Sequence, residues 1–192
     1  MTLHTVKEWA RECAYAVAWG FVLLAITTSL AGAQSDNTVV KARVVLATDA
    51  THSEAPLKLA VLAQVAPGFH INDHKPTLDY LIPTEIKVEP NDQFKVKEVA
   101  YPKGTPEKFV FSDVPLSVYQ GALTLGVLLQ VGKVPAGTYT WKAKLAYQAC
   151  NDHACLPPAS VPLSVNIKVV NHNVSLKAVE PNVFQRITFE QR

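Results

Sequence analysis

Between residues 38 and 170 the chain breaks into short runs of alternating apolar and polar residues, each stopped by Pro, Gly or Asn. That punctuation restricts the fold more than any other feature, because strand side chains repeat with a period of two and turn residues set where each strand ends. Alternation is clearest in Phe94-Lys95-Val96-Lys97-Glu98-Val99 and in Leu57-Lys58-Leu59-Ala60-Val61, where one face is apolar and the other at least partly polar. Runs of this kind span 39–47, 57–66, 82–88, 94–100, 118–131, 138–147 and 161–170. Their spacing predicts an all-β, antiparallel sandwich of about seven to nine strands with little helix.

Ahead of these runs, Lys7 and Arg11 precede an apolar stretch from Ala14 to Leu30 that ends in Ala31-Gly32-Ala33. This is the layout of a secretory signal peptide cleaved after Ala33. An uncleaved membrane anchor is the alternative, since the stretch approaches the ~18 apolar residues of a spanning helix. The small residues at 31 and 33, followed by Gln34, favour cleavage and export. Cys13 precedes the apolar core and would leave with the signal, so the exported chain would keep one cysteine pair. The expected organisation is a signal at 1–33, a sandwich domain at 34–170 and a polar tail or weakly held extra strand at 171–192. A formal charge of +2, from 18 Lys plus Arg against 16 Asp plus Glu, gives no electrostatic case for nucleic acid. No Gly-x-Ser-x-Gly or phosphate-cradling Gly loop occurs, and hydrolase or nucleotide-dependent functions have no support.

Chemistry concentrates in Tyr147-Gln148-Ala149-Cys150-Asn151-Asp152-His153-Ala154-Cys155-Leu156-Pro157-Pro158, which holds two of the three cysteines. The runs on either side read as strands, and Asn151 and Asp152 tolerate turn geometry. The simplest structure is a hairpin with Cys150 and Cys155 facing each other at its mouth. Facing residues have Cα atoms about 4.5 to 5.5 Å apart, within the roughly 4.4 to 6.8 Å a disulfide tolerates. Taken alone, such a pair in an exported protein reads first as a structural bond. Exchange chemistry needs an accessible sulfur, a resolving partner and a reducible bond, which the same arrangement can supply. His153 could stabilise a thiolate when charged and Asp152 would oppose it, although both also suit a plain solvated turn. Cys150, His153 and Cys155, with His70 or His74, form a soft-donor set of the kind that takes Cu(I) or Zn(II), so a copper-handling module is the alternative of another class. Pro67, Gly68 and Pro76 bracket the two histidines and argue against a metal-binding helix. Residues 100–118 read as a long loop whose aromatics, Phe109 and Phe111, either plug the core edge or serve a site.

The cysteine segment, with Pro67-Gly68-Phe69-His70-Ile71-Asn72 and Val118-Tyr119-Gln120-Gly121 upstream in the same order, resembles the N-terminal periplasmic domain of the thiol:disulfide interchange protein DsbD. The resemblance covers roughly residues 39–170, and the cysteine motif is its specific part. It implies an immunoglobulin-like sandwich that works as a monomeric protein-disulfide reductase component without an organic cofactor, through its redox-active disulfide. Its partners would be the thioredoxin-like domain of a membrane electron donor and oxidised periplasmic thiol proteins. Cys155 would be the attacking sulfur and Cys150 the resolving one. A cap-loop Phe covers the pair in that family, and Phe111 is the best match with Phe109 the alternative. Phe69, His70, Tyr147, Asp152 and His153 would line the site. Full-length relatives continue into a membrane-spanning and a thioredoxin-like domain that do not follow residue 170 here, so either the electrons are expected from another protein or the fold is kept for another job, such as a non-catalytic immunoglobulin-like interaction domain with a structural disulfide. Some relatives place five residues between the cysteines where this chain has four.

Overall fold

The computed structural model describes residues 38–190. The signal-peptide reading of residues 1–33, and Cys13 with it, lies outside the described residues. In chain order the elements are β1 (Val40–Leu46), β2 (Thr51–His52), β3 (Pro56–Val65), β4 (His70–Asn72), β5 (Glu85–Val88), β6 (Phe94–Ala100), β7 (Thr105–Glu107), β8 (Leu116–Tyr119), β9 (Ala122–Val131), β10 (Gly137–Tyr147), β11 (Ala149–Cys150), β12 (Ala159–Val170) and a one-turn helix, α1 (Pro181–Phe184).

Three four-stranded sheets result, ordered β1-β3-β9-β6, β2-β12-β10-β5 and β11-β4-β8-β7. The first two supply the sandwich. Along β3 the inward side chains are Leu57, Leu59, Val61, Ala63 and Val65, and along β9 they are Leu123, Leu125, Val127, Leu129 and Val131, all buried. Trp141, Ala143, Leu145 and Tyr147 of β10 meet them from the second sheet with Leu163, Ile167 and Val169 of β12. Strict alternation puts one apolar face of each strand into a common core, where each large side chain contributes roughly 1.5 to 3 kcal/mol of hydrophobic stabilisation. The all-β, antiparallel sandwich expectation is met, with one parallel exception: β2 runs alongside β12 through Thr51 and His52.

Among the described residues there are twelve strands where about seven to nine were expected. The extra ones, β2, β4, β7 and β11, have two or three residues each and are too short to show alternation. The run at 118–131 is divided at Gln120-Gly121, where Gly121 takes φ +61° and its carbonyl accepts from Val65 N at 2.8 Å. A positive φ is reached most readily by glycine, so the break is built into the sequence.

Residues 171–190 return to the sandwich. Thr48 and Ala178 form an isolated bridge, Val179 N donates to Ala47 O at 2.9 Å, and Asp49 N donates to Lys177 O at 3.0 Å. After α1 the chain crosses the outer face of the first sheet, where Ile187 and Phe189 pack over the missing side chain of Gly126 and Lys58 Nζ sits 5.4 Å from the Phe189 ring centroid.

Candidate redox site

The last pair of the β10–β12 hairpin is Tyr147 with Ala159. Between them residues 148–158 leave the sheet, so the cysteines do not sit at the mouth of that hairpin as expected. Ala149 and Cys150 pair instead with Ile71 and His70 of β4, in the third sheet. The landing strand is set by Ala66-Pro67-Gly68-Phe69. Proline presets the first turn position, Gly68 takes φ +79° at the second, and Phe69 N closes the turn on Ala66 O at 3.2 Å. The half-buried Phe69 packs on the main core, and His70 is directed into the third sheet.

Cys150 and Cys155 form an isolated antiparallel bridge, flanked by Asn151 N donating to Ala154 O at 3.0 Å and Leu156 N donating to Ala149 O at 2.8 Å. Asn151 Oδ1 accepts from His153 N and Ala154 N, both at 2.9 Å, which makes the turn between the cysteines. Gln148 Nε2 ties to Leu156 O at 3.2 Å. The two sulfurs are bonded at 2.02 Å with Cα atoms 3.9 Å apart. That is closer than the about 4.5 to 5.5 Å expected of strand partners, because the pair closes a four-residue turn rather than spanning a regular ladder. Their environments differ sharply: Cys150 is 1% exposed, whereas Cys155 is exposed.

Aromatic rings lead away from Cys150. His70, its strand partner, stacks on Phe109 with centroids 4.1 Å apart, and Phe109 stacks on Phe111 at 5.2 Å. Phe109 is 5% exposed in a small second core with Leu81, Leu116 and Val118, while Phe111 is 47% exposed and Val110 stands in solvent. Phe109 is therefore the ring against His70, and Phe111 is one ring further out. Tyr147 lies in the main core, its hydroxyl raised above its usual range by burial and bonded to the Val40 backbone. Asp152 and His153 are exposed on the turn.

A polar knot holds this sheet together and was not anticipated. Asp73, just beyond β4, accepts from Tyr119 Oη at 2.6 Å, Ser117 Oγ at 2.7 Å, Gly104 N at 3.1 Å and Lys75 N at 3.3 Å. Burial pushes the Asp73 carboxyl up, but these donors outweigh it and hold the carboxyl below its usual range. Tyr119 is pushed well up, by burial first and by Asp73 second. Beside the knot, His74 stacks on Tyr101 at 3.6 Å. Tyr119 belongs to a motif visible in the sequence, but its partner could be found only once β4 and β8 were paired.

The soft-donor set requires reduced thiolates, and in this structure the two sulfurs are bonded to each other. Among the described residues no group of three or more His, Cys, Asp or Glu could hold an ion. Both sulfurs are in the disulfide, and the Asn151 turn leaves His153 exposed while His70 is buried in the third sheet.

The chain is thus an all-β sandwich that carries a cysteine pair, one member buried and one exposed, beside a side sheet. The family model described as thiol:disulfide interchange protein DsbD, N-terminal, matches residues 36–165, and the chain belongs to that family. Among solved structures, the N-terminal periplasmic domain of ScsB from Proteus mirabilis is similar at 17% identity and TM-score 0.47, covering 69% of this chain and 47% of that one. The reduced N-terminal domain of DsbD from Neisseria meningitidis shows 17% identity and TM-score 0.42, covering 66% and 85%. A complex between the DsbD and PilB N-terminal domains of Neisseria meningitidis gives 17% identity and TM-score 0.38, covering 63% and 80%. A search of curated proteins finds no match.

Proposed function

We propose that this protein passes reducing equivalents by thiol-disulfide exchange through Cys150 and Cys155, as a monomeric periplasmic protein-disulfide reductase component exported by residues 1–33. Membership of the DsbD N-terminal family and the bonded cysteine pair are consistent with exchange. The observation that carries the division of labour is the contrast between a buried Cys150 and an exposed Cys155. An incoming thiolate or disulfide meets Cys155 first, and the enclosed Cys150 acts only within the molecule.

In the reducing direction, the Cys155 thiolate attacks a client disulfide. A Cys155–client bond forms, and the client's other sulfur leaves as a thiolate. Cys150 then attacks Cys155 Sγ, the second client sulfur leaves, and the local disulfide is restored with two electrons passed to the client. A thioredoxin-like dithiol on a membrane-linked donor reverses the sequence to recharge the pair. Closing so short a loop, with a sequence separation of 5, stabilises the fold by only about 2 kcal/mol in the chain-entropy account, against about 4.7 for a 100-residue loop. So small a contribution would let the sandwich keep its core when the bond is reduced, as a shuttle requires. Phe109 and Phe111 would screen the buried side of the site and move when a partner docks.

Trapping experiments test the roles. Cys150→Ala is expected to accumulate a covalent adduct with a thioredoxin-like donor or client, and Cys155→Ala is not. Equal adduct from both variants would refute the assignment. Failure of the wild-type bond to be reduced by any thioredoxin-like dithiol under native conditions would refute the function.

A further inference from the structure

We infer that His70 is the proton acceptor for the Cys150 thiol in the resolving step, an assignment that rests on the exchange function proposed above. The two residues are antiparallel partners on β4 and β11, so their side chains leave the same face of the strand pair as neighbours. Both are enclosed, His70 at 2% and Cys150 at 1% exposure. His70 Nε2 is buried without a hydrogen-bond partner, uncommon for so enclosed an atom, and this leaves a ring nitrogen free for a proton. Phe109 stacks on the imidazole and limits its movement. The charged groups acting on it are Glu107 of β7 and Asp152 of the cysteine turn, and Cys150 is the titratable group opposite on β11. Burial draws the imidazole below its ordinary range, and Glu107 and then Asp152 pull it part of the way back. The ring is neutral near neutral pH and ready to receive a proton.

The resolving step needs such a group. The thiolate is the nucleophile, and a thiol in an enclosed, apolar setting resists ionisation. As the Cys150 S–H proton passes to the imidazole, the sulfur attacks Cys155 Sγ. The Cys150–Cys155 bond forms, the Cys155–client bond breaks, and the client thiolate takes up one proton from solvent while the imidazolium returns one. When a donor thiolate attacks Cys155 instead, the His70 ring takes up one proton from solvent and passes it to the departing Cys150 sulfur, and is neutral again afterwards. The client disulfide and the donor dithiol are the only redox partners the cycle uses.

The test follows the reduced protein reacting with 5,5′-dithiobis(2-nitrobenzoate). The first thionitrobenzoate release reports attack by Cys155, and the second reports resolution by Cys150. His70→Phe keeps a ring against Phe109. Its first release is expected within about twofold of wild type, while its second is slower by about a hundredfold at neutral pH and climbs steadily as pH rises. His70→Gln, which is polar but does not titrate, should show the same slow second release, and circular dichroism verifies that both variants fold. A second release with wild-type rate and pH profile in either folded variant would overturn the proton-acceptor role alone. A wild-type protein that gives no second release, or a Cys155→Ala variant that gives the first release at full rate, would overturn the exchange function and His70's role together.

Discussion

Replacing Asp73 by Asn probes the knot that fastens the side sheet to the sandwich. The carboxylate accepts four hydrogen bonds, two from side chains and two from backbone N–H groups. Asparagine keeps one carbonyl oxygen for Tyr119 and Lys75, but presents an NH2 to Gly104 N–H, which cannot turn away. Ser117 can rotate its hydroxyl and accept. One stranded buried N–H costs about 1 to 3 kcal/mol, and losing the charge on the surviving bonds costs about 1 more. The variant should lose about 2 to 4 kcal/mol at neutral pH, read from urea unfolding as a lower midpoint with unchanged slope. The sign with pH follows from the depressed carboxyl. Its contribution is fully present above the unfolded value of about 3.9 and is lost as pH falls through the lower folded value. The gap between wild type and Asp73→Asn should therefore close as the solution is acidified below about pH 4. A loss under about 0.5 kcal/mol at neutral pH, or a gap that stays constant on acidification, would refute the account.

Three further variants separate elements that the fold brings close. Phe109→Ala should cost about 3 kcal/mol and speed reduction of the disulfide by uncovering His70, whereas Phe111→Ala, half exposed, should cost under about 1 kcal/mol. Matched urea titrations and reduction rates check both, and equal losses from the two variants would contradict the stacking order. A Cβ at Gly126 would fall 2.8 Å from Phe189 Cζ, so Gly126→Ala should lift residues 186–190 from the sheet and expose them to limited proteolysis. An uncut strap in the variant would show that Ile187 and Phe189 adjust in place.

The sandwich was legible in the sequence because its strands are long enough to alternate. Leu57 to Val65 and Leu123 to Val131 each repeat one apolar face often enough that no other regular structure buries them. Gly121 marked a break in the run at 118–131, but the run hid it, since length alone does not separate one strand from two. The strands that carry the site were not legible. β4 and β11 have three and two residues, and nothing in so short a stretch names its partner.

Amino-acid order by itself determined the all-β class, the closeness of Cys150 and Cys155 and the turn that Asn151 builds between them, because each depends on neighbours in the chain. Tertiary structure decided what makes the two sulfurs unequal. It carried the cysteine turn away from the β10–β12 hairpin onto β4, set His70 opposite Cys150, laid Phe109 rather than Phe111 against that ring, and joined Asp73 to Tyr119, Ser117 and Gly104. Burial is a property of what the rest of the chain packs over a residue, so the enclosure of one cysteine and the exposure of the other could be settled only by the fold.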